Sequence, residues 1–450
     1  MSTSRVKLQP RPPTPLHASL ARLNALVSPY TGVVRQLFEI LPAVDDARAF
    51  YFSTVATASD DLLGGPCNKN NGGGHYNREI AIAAAIGEAV ERYSCTYISK
   101  QRLILSTAKD LGFLAVCPET FSLFDGWQYT QAKFPFKQFN IDTKVHWVDG
   151  FSLPDGEVVF LPAEMVYLGY DASKEGTSIG YSTSSGLACG PTLEEAILSA
   201  LLEAIERDAF MLTWLNRLSL PVVDLTTDAT VAKEIEQQLT PAGLQHSVID
   251  MSIFCGVPTA LGIVRNVNSE LGVFTVGAAS ATSMASATRK ALLEAYQTRT
   301  WARSTQLEQP RRSFQPDFSD IRTFDDHILF YAHAKNARHV AFLDAAEAQV
   351  SLESTRPIAG DTAFDRIVEV TRRLKAKGLT AYAVDVTSPD IRQAGMHVVK
   401  VVVPEFCQLS AGHLWRFLGG KRLYHAAYEL GLRSSPLMKA ELNPYPHPFP

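Results

Sequence analysis

The sequence lacks the cysteine and histidine patterns that mark zinc sites and disulfide frameworks. Its six cysteines are scattered without a C-x-x-C pair, and its eleven histidines form neither H-x-x-x-H nor H-E-x-x-H. A disulfide scaffold, a structural zinc site and a catalytic zinc are therefore not indicated. We expect each cysteine to be a small, reduced hydrophobic residue, and only Cys189 lies in a loop of functional interest.

Long apolar runs, basic tracts and glycine-rich nucleotide motifs are also missing. No run of about 18 apolar residues occurs, and the N-terminus has no apolar signal region. The net charge is -4 without a dominant basic tract, so nucleic acid is not the favoured partner. We expect a soluble cytoplasmic protein. Because G-x-G-x-x-G is absent, a doubly wound Rossmann fold is disfavoured.

The sequence is rich in apolar residues that follow both strand and helix periods. A chain of 450 residues with 46% apolar content can bury a large core, and its length allows two or three domains. An α+β fold of several mixed sheets is predicted. The predicted strands lie at 34–40, 48–57, 145–150, 157–162, 220–225, 244–249, 259–264, 272–276, 379–386 and 397–403.

One helical pattern, Ala-(Ile/Leu)-x-Glu-Ala-x-(Glu/Gln), occurs three times, in helices predicted near 77–99, 192–210 and 285–303. The intervals are too long and uneven for a solenoid repeat. In the second copy Glu203, Glu206 and Arg207 lie at i, i+3 and i+4, so their side chains share one flank. The corresponding positions of the other copies hold Glu88, Glu91, Arg92, Lys290, Glu294 and Gln297. Further helices are predicted at 231–239, 325–334 and 363–377.

Two interpretations of these glutamates compete. Acidic pairs at i and i+3 are common on solvated helix faces. Alanines and large aliphatic residues surround these particular pairs, however, as in helices that are mostly enclosed by protein. Partly buried carboxylates must take up protons or hold cations, and oxygen-rich clusters suit Mg²⁺ shared with substrate phosphates. The pattern therefore favours a nucleoside triphosphate bound through magnesium.

Loops of small residues precede the second and third helices. Residues 177–191 and 277–284 are rich in Ser, Thr, Gly and Ala, and a loop at a helix N-terminus offers backbone N–H groups to an anion. An ordinary capped connection is the alternative. Thr192 and Glu195 are predicted to form a capping box at the start of the second helix. Residues 64–74, GGPCNKNNGGG, are predicted to be a flexible polar loop.

Both ends of the chain are proline-rich. Residues 1–20 are predicted to be an extended arm, followed by one large domain at 21–440. The tail at 441–450 ends in NPYPHPFP, whose prolines make it stiff, so that the Pro450 carboxylate becomes a positioned anion. A disordered tail is the alternative.

The motifs together resemble one family. GEAVERYS at 87–94, SSGLACGPTLEEAILSALLEAIERDAF at 184–210, RKALLEAYQTR at 289–299 and the terminal alternating prolines are similar to YcaO-domain proteins. The resemblance covers about 27–450, and the proline ending is similar to that of the azoline-forming cyclodehydratases. It implies a YcaO-like fold with the three glutamate-bearing helices around an ATP site, and a tail that reaches the active site.

The resemblance implies ATP- and Mg²⁺-dependent chemistry on a ribosomal precursor peptide. A Cys, Ser or Thr side chain adds to the preceding amide, ATP phosphorylates the amide oxygen, and loss of phosphate leaves a thiazoline or oxazoline, as in the biosynthesis of thiazole- and oxazole-modified peptide antibiotics. A YcaO enzyme that forms a thioamide or amidine is one alternative. A non-catalytic docking subunit is another.

The resemblance also assigns roles by position. Magnesium would be held by Glu88, Glu91, Glu203 and Glu206. The nucleotide would be contacted by Ser28, Thr31, Glu195 and Arg207. Catalytic roles fall on Pro450, Glu294 and Lys290, the last standing where the family commonly has arginine. Ala188 and Pro191 stand at loop positions that the family often fills with polar residues.

The expected partners follow from the same resemblance. We expect a precursor peptide and a separate leader-binding protein that resembles a ubiquitin-activating-enzyme fold or a small winged-helix element. A flavin dehydrogenase is a possible further partner, and a homodimer is expected. Neither nucleic acid nor a membrane is expected as a partner.

Overall fold

The computed structural model describes residues 5–58, 63, 67–172 and 176–450. Its α-helices are α1 (Leu16–Asn24), α2 (Arg78–Thr96), α3 (Ala108–Leu111), α4 (Leu193–Leu215), α5 (Ala229–Gln238), α6 (Met284–Glu308), α7 (Phe324–Ala332), α8 (Ala363–Lys375), α9 (Pro389–Gln393) and α10 (Lys421–Glu429). Several 3₁₀ turns join these elements. No helix within these described ranges is both long and apolar enough to span a bilayer.

The strands form three sheets, which confirms the prediction of an α+β protein with mixed sheets. The first sheet is antiparallel and contains β1 (Val34–Ile40), β2 (Phe50–Ala56) and β3 (Asn70–His75). The second has the order β11 (Phe274–Ser280), β10 (Thr259–Arg265), β9 (Gln245–Asp250), β8 (Val222–Asp224) and β12 (Gln349–Ser351). The third has the order β4 (Ile104–Ser106), β5 (Val145–Ser152), β13 (Tyr382–Asp385), β14 (His397–Val402) and β7 (Leu187–Gly190), with β6 (Val158–Pro162) paired to β5.

Three long helices cover the sheets at the places where the predicted glutamates lie. Helix α2 packs on β2 and β3, and α6 packs on β10 and β11. Helix α4 lies between the second and third sheets, where it contacts β7, β14 and β11. It is buried along almost its whole length, and its apolar residues belong to the largest hydrophobic core. Helices α2 and α4 both contact β7, and helices α4 and α6 both contact β11, so shared strands bring the three helices together.

The glycine-rich stretch 64–74 was predicted to be a flexible loop, and the prediction was wrong for its second half. Asn70–His75 forms the edge strand β3, paired in register with β2. A Cβ atom at Gly73 would clash with the backbone nitrogen of Ala85 on α2. Glycine therefore permits the strand to pack directly on the helix. The residues at 64–66 lie outside the described residues.

Three other loop predictions need correction. The predicted loop 177–191 contains β7, which pairs with β14, and the predicted loop 277–284 is strand as far as Ser280. The N-terminal arm is extended only up to Pro15, because α1 begins at Leu16. In each case pairing or packing with distant parts of the chain decides the local structure, which local composition does not report.

Candidate active site

Helix α2 turns two glutamates and an arginine toward neighbouring strands. Glu88 Oε2 accepts a hydrogen bond from the Gly72 backbone N–H at 2.8 Å, and Glu91 Oε1 accepts one from the Cys189 backbone N–H at 2.9 Å. Arg92 Nη2 lies 3.1 Å from Glu88 Oε1, and Arg92 Nη1 lies 3.9 Å from Glu91 Oε2. Backbone groups of β3 and β7 therefore fix both carboxylates. Cys189 contributes its backbone N–H to this arrangement. Burial raises the pKa of its thiol, which disfavours the reactive thiolate.

Helix α4 contributes a matching set around Arg207. Arg207 Nη1 lies 3.0 Å from Glu206 Oε1, and Arg207 Nη2 lies 3.5 Å from Glu203 Oε1. Glu206 Oε2 accepts a hydrogen bond from the Ser280 backbone N–H at 3.3 Å. The end of β11 therefore holds Glu206 in the same way that β3 and β7 hold the glutamates of α2.

Helix α6 completes the cluster with Glu294. This carboxylate accepts a hydrogen bond from the Ala278 backbone, and the charges close to it are Glu206, Arg207 and Glu203. Glu203 is also one of the charges that act on Glu91. Glu203 thus links the acids of all three helices. We call Glu88, Glu91, Glu203, Glu206 and Glu294 the glutamate cluster.

Burial and mutual repulsion raise the pKa values of three carboxylates in the cluster. Burial raises the pKa of Glu91 to about 8, and the nearby charges of Glu203 and Glu88 add to the shift while Arg92 opposes it. Burial also raises the pKa of Glu206 to about 7 and that of Glu294 to about 8, with neighbouring glutamates adding to both shifts. The cluster therefore carries protons near neutral pH unless cations replace them.

The residues present fit a magnesium nucleotide by their charge and chemistry. Among the described residues, four of the five carboxylates pair with Arg92 or Arg207, so the acids outnumber their basic partners. Glu206 Oε1 is buried beside Arg207 Nη1, yet neither atom makes a hydrogen bond with good geometry. Within the described part of the chain no three His, Cys, Asp or Glu side chains form a ready-made metal cage. Such an acid set suits Mg²⁺ shared with phosphates rather than a cage of protein ligands alone.

The C-terminal tail is inserted beside this cluster. The Phe449 ring is buried, lies under the Arg207 guanidinium at 4.2 Å from Cζ to the ring centre, and packs against Phe210 at 4.7 Å between ring centres. His447 stacks on His327 at 3.8 Å, and Tyr331 Oη donates to the Pro446 carbonyl oxygen at 2.6 Å. Pro450 therefore follows a residue in direct contact with Arg207.

Glu195 lies apart from the direct contacts of the cluster. Thr192 caps α4 as predicted, because its Oγ1 accepts from the Glu195 backbone N–H at 3.2 Å. The predicted reciprocal half of the capping box is not formed. Glu195 Oε2 instead accepts from Thr192 Oγ1 at 2.8 Å, and Thr14 of the N-terminal arm donates to both carboxylate oxygens.

Three other predicted site residues lie at the periphery. Ser28 Oγ accepts from the Thr31 backbone N–H at 3.3 Å, within an exposed turn that leads into β1. Lys290 is exposed and lies one turn before Glu294. Burial, together with the positive charge of Lys290, lowers the pKa of His75 at the end of β3. The structure thus gathers Arg207 with the glutamate cluster and leaves Ser28, Thr31 and Lys290 without a direct contact to it.

Lys400 is a buried residue near the cluster that sequence reasoning missed. Its Nζ donates to the carbonyl oxygens of Thr183 and Ser185 at 2.6 and 2.7 Å, which fixes the loop before β7. Burial lowers its pKa to about 8, while Cys95 and Glu203 act in the opposite direction. The available signal was a single lysine in the apolar run HVVKVVV, since a lysine in a buried strand requires partners.

The three sheets and three acid-bearing helices define an α+β protein with a buried carboxylate site. A family model described as YcaO cyclodehydratase, ATP- and Mg²⁺-binding, matches residues 72–407, more than half of the chain. The chain belongs to the YcaO family. This confirms the family and the expected cofactors, ATP and Mg²⁺.

Two curated relatives are themselves uncharacterised proteins. One from Methanothermobacter thermautotrophicus is 27% identical over 336 residues, covering 73% of this chain and 79% of the relative. Another, an uncharacterised protein in the tfuA 3' region of Rhizobium leguminosarum bv. trifolii, is 32% identical over 124 residues, covering 27% of this chain and 29% of its own length. They extend the family without adding an activity.

Solved structures share the fold over almost the whole chain. A heterocyclase in complex with substrate and cofactor has a TM-score of 0.81 and 26% identity, covering 99% of this chain. The heterocyclase TruD has a TM-score of 0.69 and 23% identity over 99% of this chain. This chain spans 59% and 56% of the lengths of those two proteins. YcaO from Methanopyrus kandleri, bound with AMPPCP and Mg²⁺, has a TM-score of 0.60 and 16% identity, covering 90% of this chain and 94% of its own length.

Proposed function

We propose that this chain is an ATP-dependent cyclodehydratase that converts Cys, Ser or Thr residues of a ribosomal precursor peptide to thiazolines or oxazolines. The observation that carries the proposal is the glutamate cluster, in which Glu203 links the acids of α2, α4 and α6. Family membership and the likeness to a heterocyclase complexed with substrate and cofactor support the same chemistry.

The proposed reaction balances as the removal of one water from the peptide. The thiol or hydroxyl adds to the preceding amide carbon, and the amide oxygen takes the γ-phosphoryl group. The new C–S or C–O bond closes the ring, and the thiol or hydroxyl gives up its proton. The phosphorylated oxygen then leaves as phosphate while the nitrogen loses its proton, so a C=N bond forms within the ring. ATP with Mg²⁺ supplies the phosphoryl group that turns the amide oxygen into a leaving group.

The chain's own residues would divide the remaining work. Under the proposal Glu88, Glu91, Glu203 and Glu206 hold magnesium, and Arg207 faces the phosphates. The Pro450 carboxylate and Glu294 are the proposed proton acceptors. For a side chain such as Glu294, a pKa near the working pH makes proton transfer most efficient. The pKa of Glu294, about 8, lies in that range. Packing of Phe449 under Arg207 would position the tail for this role.

A separate protein is proposed to deliver the precursor peptide. A structural relative in the Escherichia coli microcin synthetase complex McbBCD, bound to pro-MccB17, has a TM-score of 0.56 and 16% identity, covering 82% of this chain and 88% of its own length. By analogy we propose a leader-binding partner with a ubiquitin-activating-enzyme-like or winged-helix fold, and a flavin dehydrogenase where azolines are oxidised. A homodimer of this chain is part of the same proposal.

The test combines the purified chain, its partner and its precursor peptide with Mg-ATP. The expected result is the loss of one water mass per modified residue, with one ADP and one phosphate formed for each. Replacement of oxygen by sulfur would support thioamide formation instead. Nucleotide binding without turnover would support a docking subunit.

The matched variants are Glu203→Gln and Glu347→Gln. Glu203 links the cluster, whereas Glu347 is an exposed glutamate outside it. Glu203→Gln removes one charge at constant size and should reduce ATP hydrolysis by about 100-fold or more, the usual scale for losing preorganised charge at phosphoryl transfer. Glu347→Gln should act like the wild type. Wild-type turnover by a folded Glu203→Gln variant would contradict the proposal.

A further inference from the structure

The N-terminal arm, residues 5–15, is an extended segment without regular secondary structure that contacts the turn between β5 and β6 and the start of α4. Its first contact is with the turn between β5 and β6, where the Val6 backbone N–H donates to the Gly156 carbonyl oxygen at 2.9 Å. A Cβ atom at Gly156 would clash with the Val6 carbonyl group. Gly156 therefore permits a peptide backbone to lie directly on this turn.

The second contact uses the first two glutamates of α4 as acceptors for arm N–H groups. Glu194 Oε1 accepts from the Gln9 backbone N–H at 2.8 Å, and Glu195 Oε1 accepts from the Thr14 backbone N–H at 3.0 Å. Thr14 Oγ1 also donates to Glu195 Oε2 at 2.9 Å. Carboxylates that accept backbone N–H groups make charge-assisted hydrogen bonds, which read a peptide backbone rather than particular side chains. We call this surface the arm groove.

The arm groove contains a buried carboxylate with free hydrogen-bonding capacity. Glu194 is only 4% exposed, and its Oε2 atom has no hydrogen-bond partner among the residues that the structure describes. The arm itself is mostly exposed and contains Pro10, Pro12 and Pro13, which have no N–H to donate. Val6 and Leu8 pack, partly buried, against the largest hydrophobic core. The contacts of residues 9–14 with α4 are hydrogen bonds from exposed or half-buried residues.

Helix α1, which follows the arm, is held in place by its own contacts. Arg22 of α1 donates through Nη1 to the carbonyl oxygens of Pro191 and Gly395 at 2.9 and 3.0 Å. Helix α1 thus stays fixed beside the start of α4 even without the contacts of residues 6–14. Release of the arm would uncover Glu195 and leave the rest of the fold in place.

We propose that residues 6–14 are an intramolecular ligand of the arm groove and compete with nucleotide for Glu195. This inference rests on the proposed function together with the nucleotide contact that the family resemblance assigns to Glu195. Thr14 donates to both oxygens of Glu195, the bidentate position that a pair of ligand hydroxyls requires. Nucleotide binding and arm docking then exclude one another, so that ATP releases the arm and a docked arm weakens ATP binding.

The competition is tested by calorimetric binding of AMPPCP with Mg²⁺ to the full chain and to two arm variants. Thr14→Val removes the hydroxyl donor, and Thr14→Pro also removes the N–H donor in a segment already flanked by prolines. His17→Gln is the control, because His17 is exposed and makes no contact with Glu195. We expect Thr14→Val to bind AMPPCP about fivefold more tightly, which corresponds to the ~1 kcal/mol net value of one hydrogen bond. Thr14→Pro should bind more tightly still, and His17→Gln should match the wild type.

Hydrogen exchange gives a second readout that a purely structural arm would not change. Adding AMPPCP and Mg²⁺ should speed amide exchange at Val6, Gln9 and Thr14. Equal nucleotide affinity in all variants, or slower exchange of the arm on nucleotide addition, overturns the competition while leaving the proposed function intact. Absence of nucleotide binding in every variant overturns both.

Discussion

The two proline-rich ends of the chain have similar composition and opposite environments. The N-terminal arm is mostly exposed and is held by backbone hydrogen bonds to Glu194, Glu195 and the turn at Gly156. The C-terminal tail is mostly buried, with Phe449 fully enclosed and His447 only 2% exposed. Prolines give both segments the same stiffness. The residues between the prolines decide where each segment binds.

The difference is one of side chains. The tail alternates its prolines with Tyr445, His447 and Phe449. Tyr445 stacks on His339, His447 stacks on His327, and Phe449 packs against Phe210 in a tilted arrangement. The arm places the basic residue Arg11 and the polar residue Thr14 between its prolines, and these have little apolar area to bury. Burial of aromatic side chains stabilises the folded state more than a few part-buried hydrogen bonds do. The tail is therefore part of the core, whereas the arm lies on the surface in a contact that we propose to be reversible.

Among the changes that test this contrast between the two ends, deleting Pro446–Pro450 should reduce activity most. The deletion removes Phe449 and its contact with Arg207, and also the carboxylate proposed as a proton acceptor. We expect azoline formation to fall by about 100-fold or more, the usual scale for losing a general base, while binding of the precursor peptide stays near wild type. Mass spectrometry of the product and fluorescence titration of the peptide measure the two quantities.

A matched variant separates packing from chemistry in the tail. Adding one alanine after Pro450 keeps Phe449 in place and moves the carboxylate by one residue. This extension should also impair cyclisation while leaving the unfolding temperature unchanged. Full product formation by both the deletion and the extension would assign the tail a packing role alone.

The local features of this fold could be predicted from the sequence because they depend on period and capping. The strand at Val34–Ile40 has its predicted bounds, and α4 starts after Thr192 as predicted. The meeting of Glu88, Glu203 and Glu294 could be expected only from three copies of one motif, since nothing local brings helices together. The resemblance to YcaO proteins added the roles, which the geometry by itself does not assign.

The errors occurred where distant parts of the chain decide the structure. Glycines 72–74 have poor strand propensity, and they form a strand because β2 pairs with them and α2 packs on them. Glu195 has the spacing of a capping box, but Thr14 is a better partner for its carboxylate once the arm folds back. Lys400 acquires its function from two carbonyl groups far away in sequence. None of these partners can be identified from a local window.

The buried histidine pair should make the tail more sensitive to acid than the arm. Burial lowers the pKa of His447 well below its usual value and that of His327 to about 3. A base with a lowered folded-state pKa contributes stability above about pH 6.5 that is lost as pH falls toward the folded-state value. Between pH 7.5 and pH 5 His327 should cost about 2 kcal/mol of unfolding free energy, and His447 acts in the same direction. Glu91, Glu206 and Glu294 act with the opposite sign, because their raised pKa values favour the folded state at lower pH.

His447→Phe isolates the histidine contribution from that of the glutamates. Phenylalanine can stack on His327 but cannot take up a proton, although it loses the contact with the Ser410 carbonyl oxygen at 2.8 Å. Urea unfolding at pH 7.5 and pH 5 should show a smaller loss of stability on acidification in His447→Phe than in the wild type. An identical pH dependence in the two proteins would show that the histidine pair does not titrate in this range.

Breaking the arm contact should have the smallest effect on stability. Gln9→Pro removes the N–H group that donates to Glu194 Oε1, and the segment around it is already extended and rich in proline. The hydrogen bond lies in a part-buried surface contact, so we expect the free energy of unfolding to change by less than about 1 kcal/mol. Urea unfolding measures the loss, with Pro444→Ala, an exposed position of the tail, as the matched control. A loss of several kcal/mol in Gln9→Pro would mean that the arm is part of the folded core like the tail, and the contrast between the two ends would then reduce to their exposure.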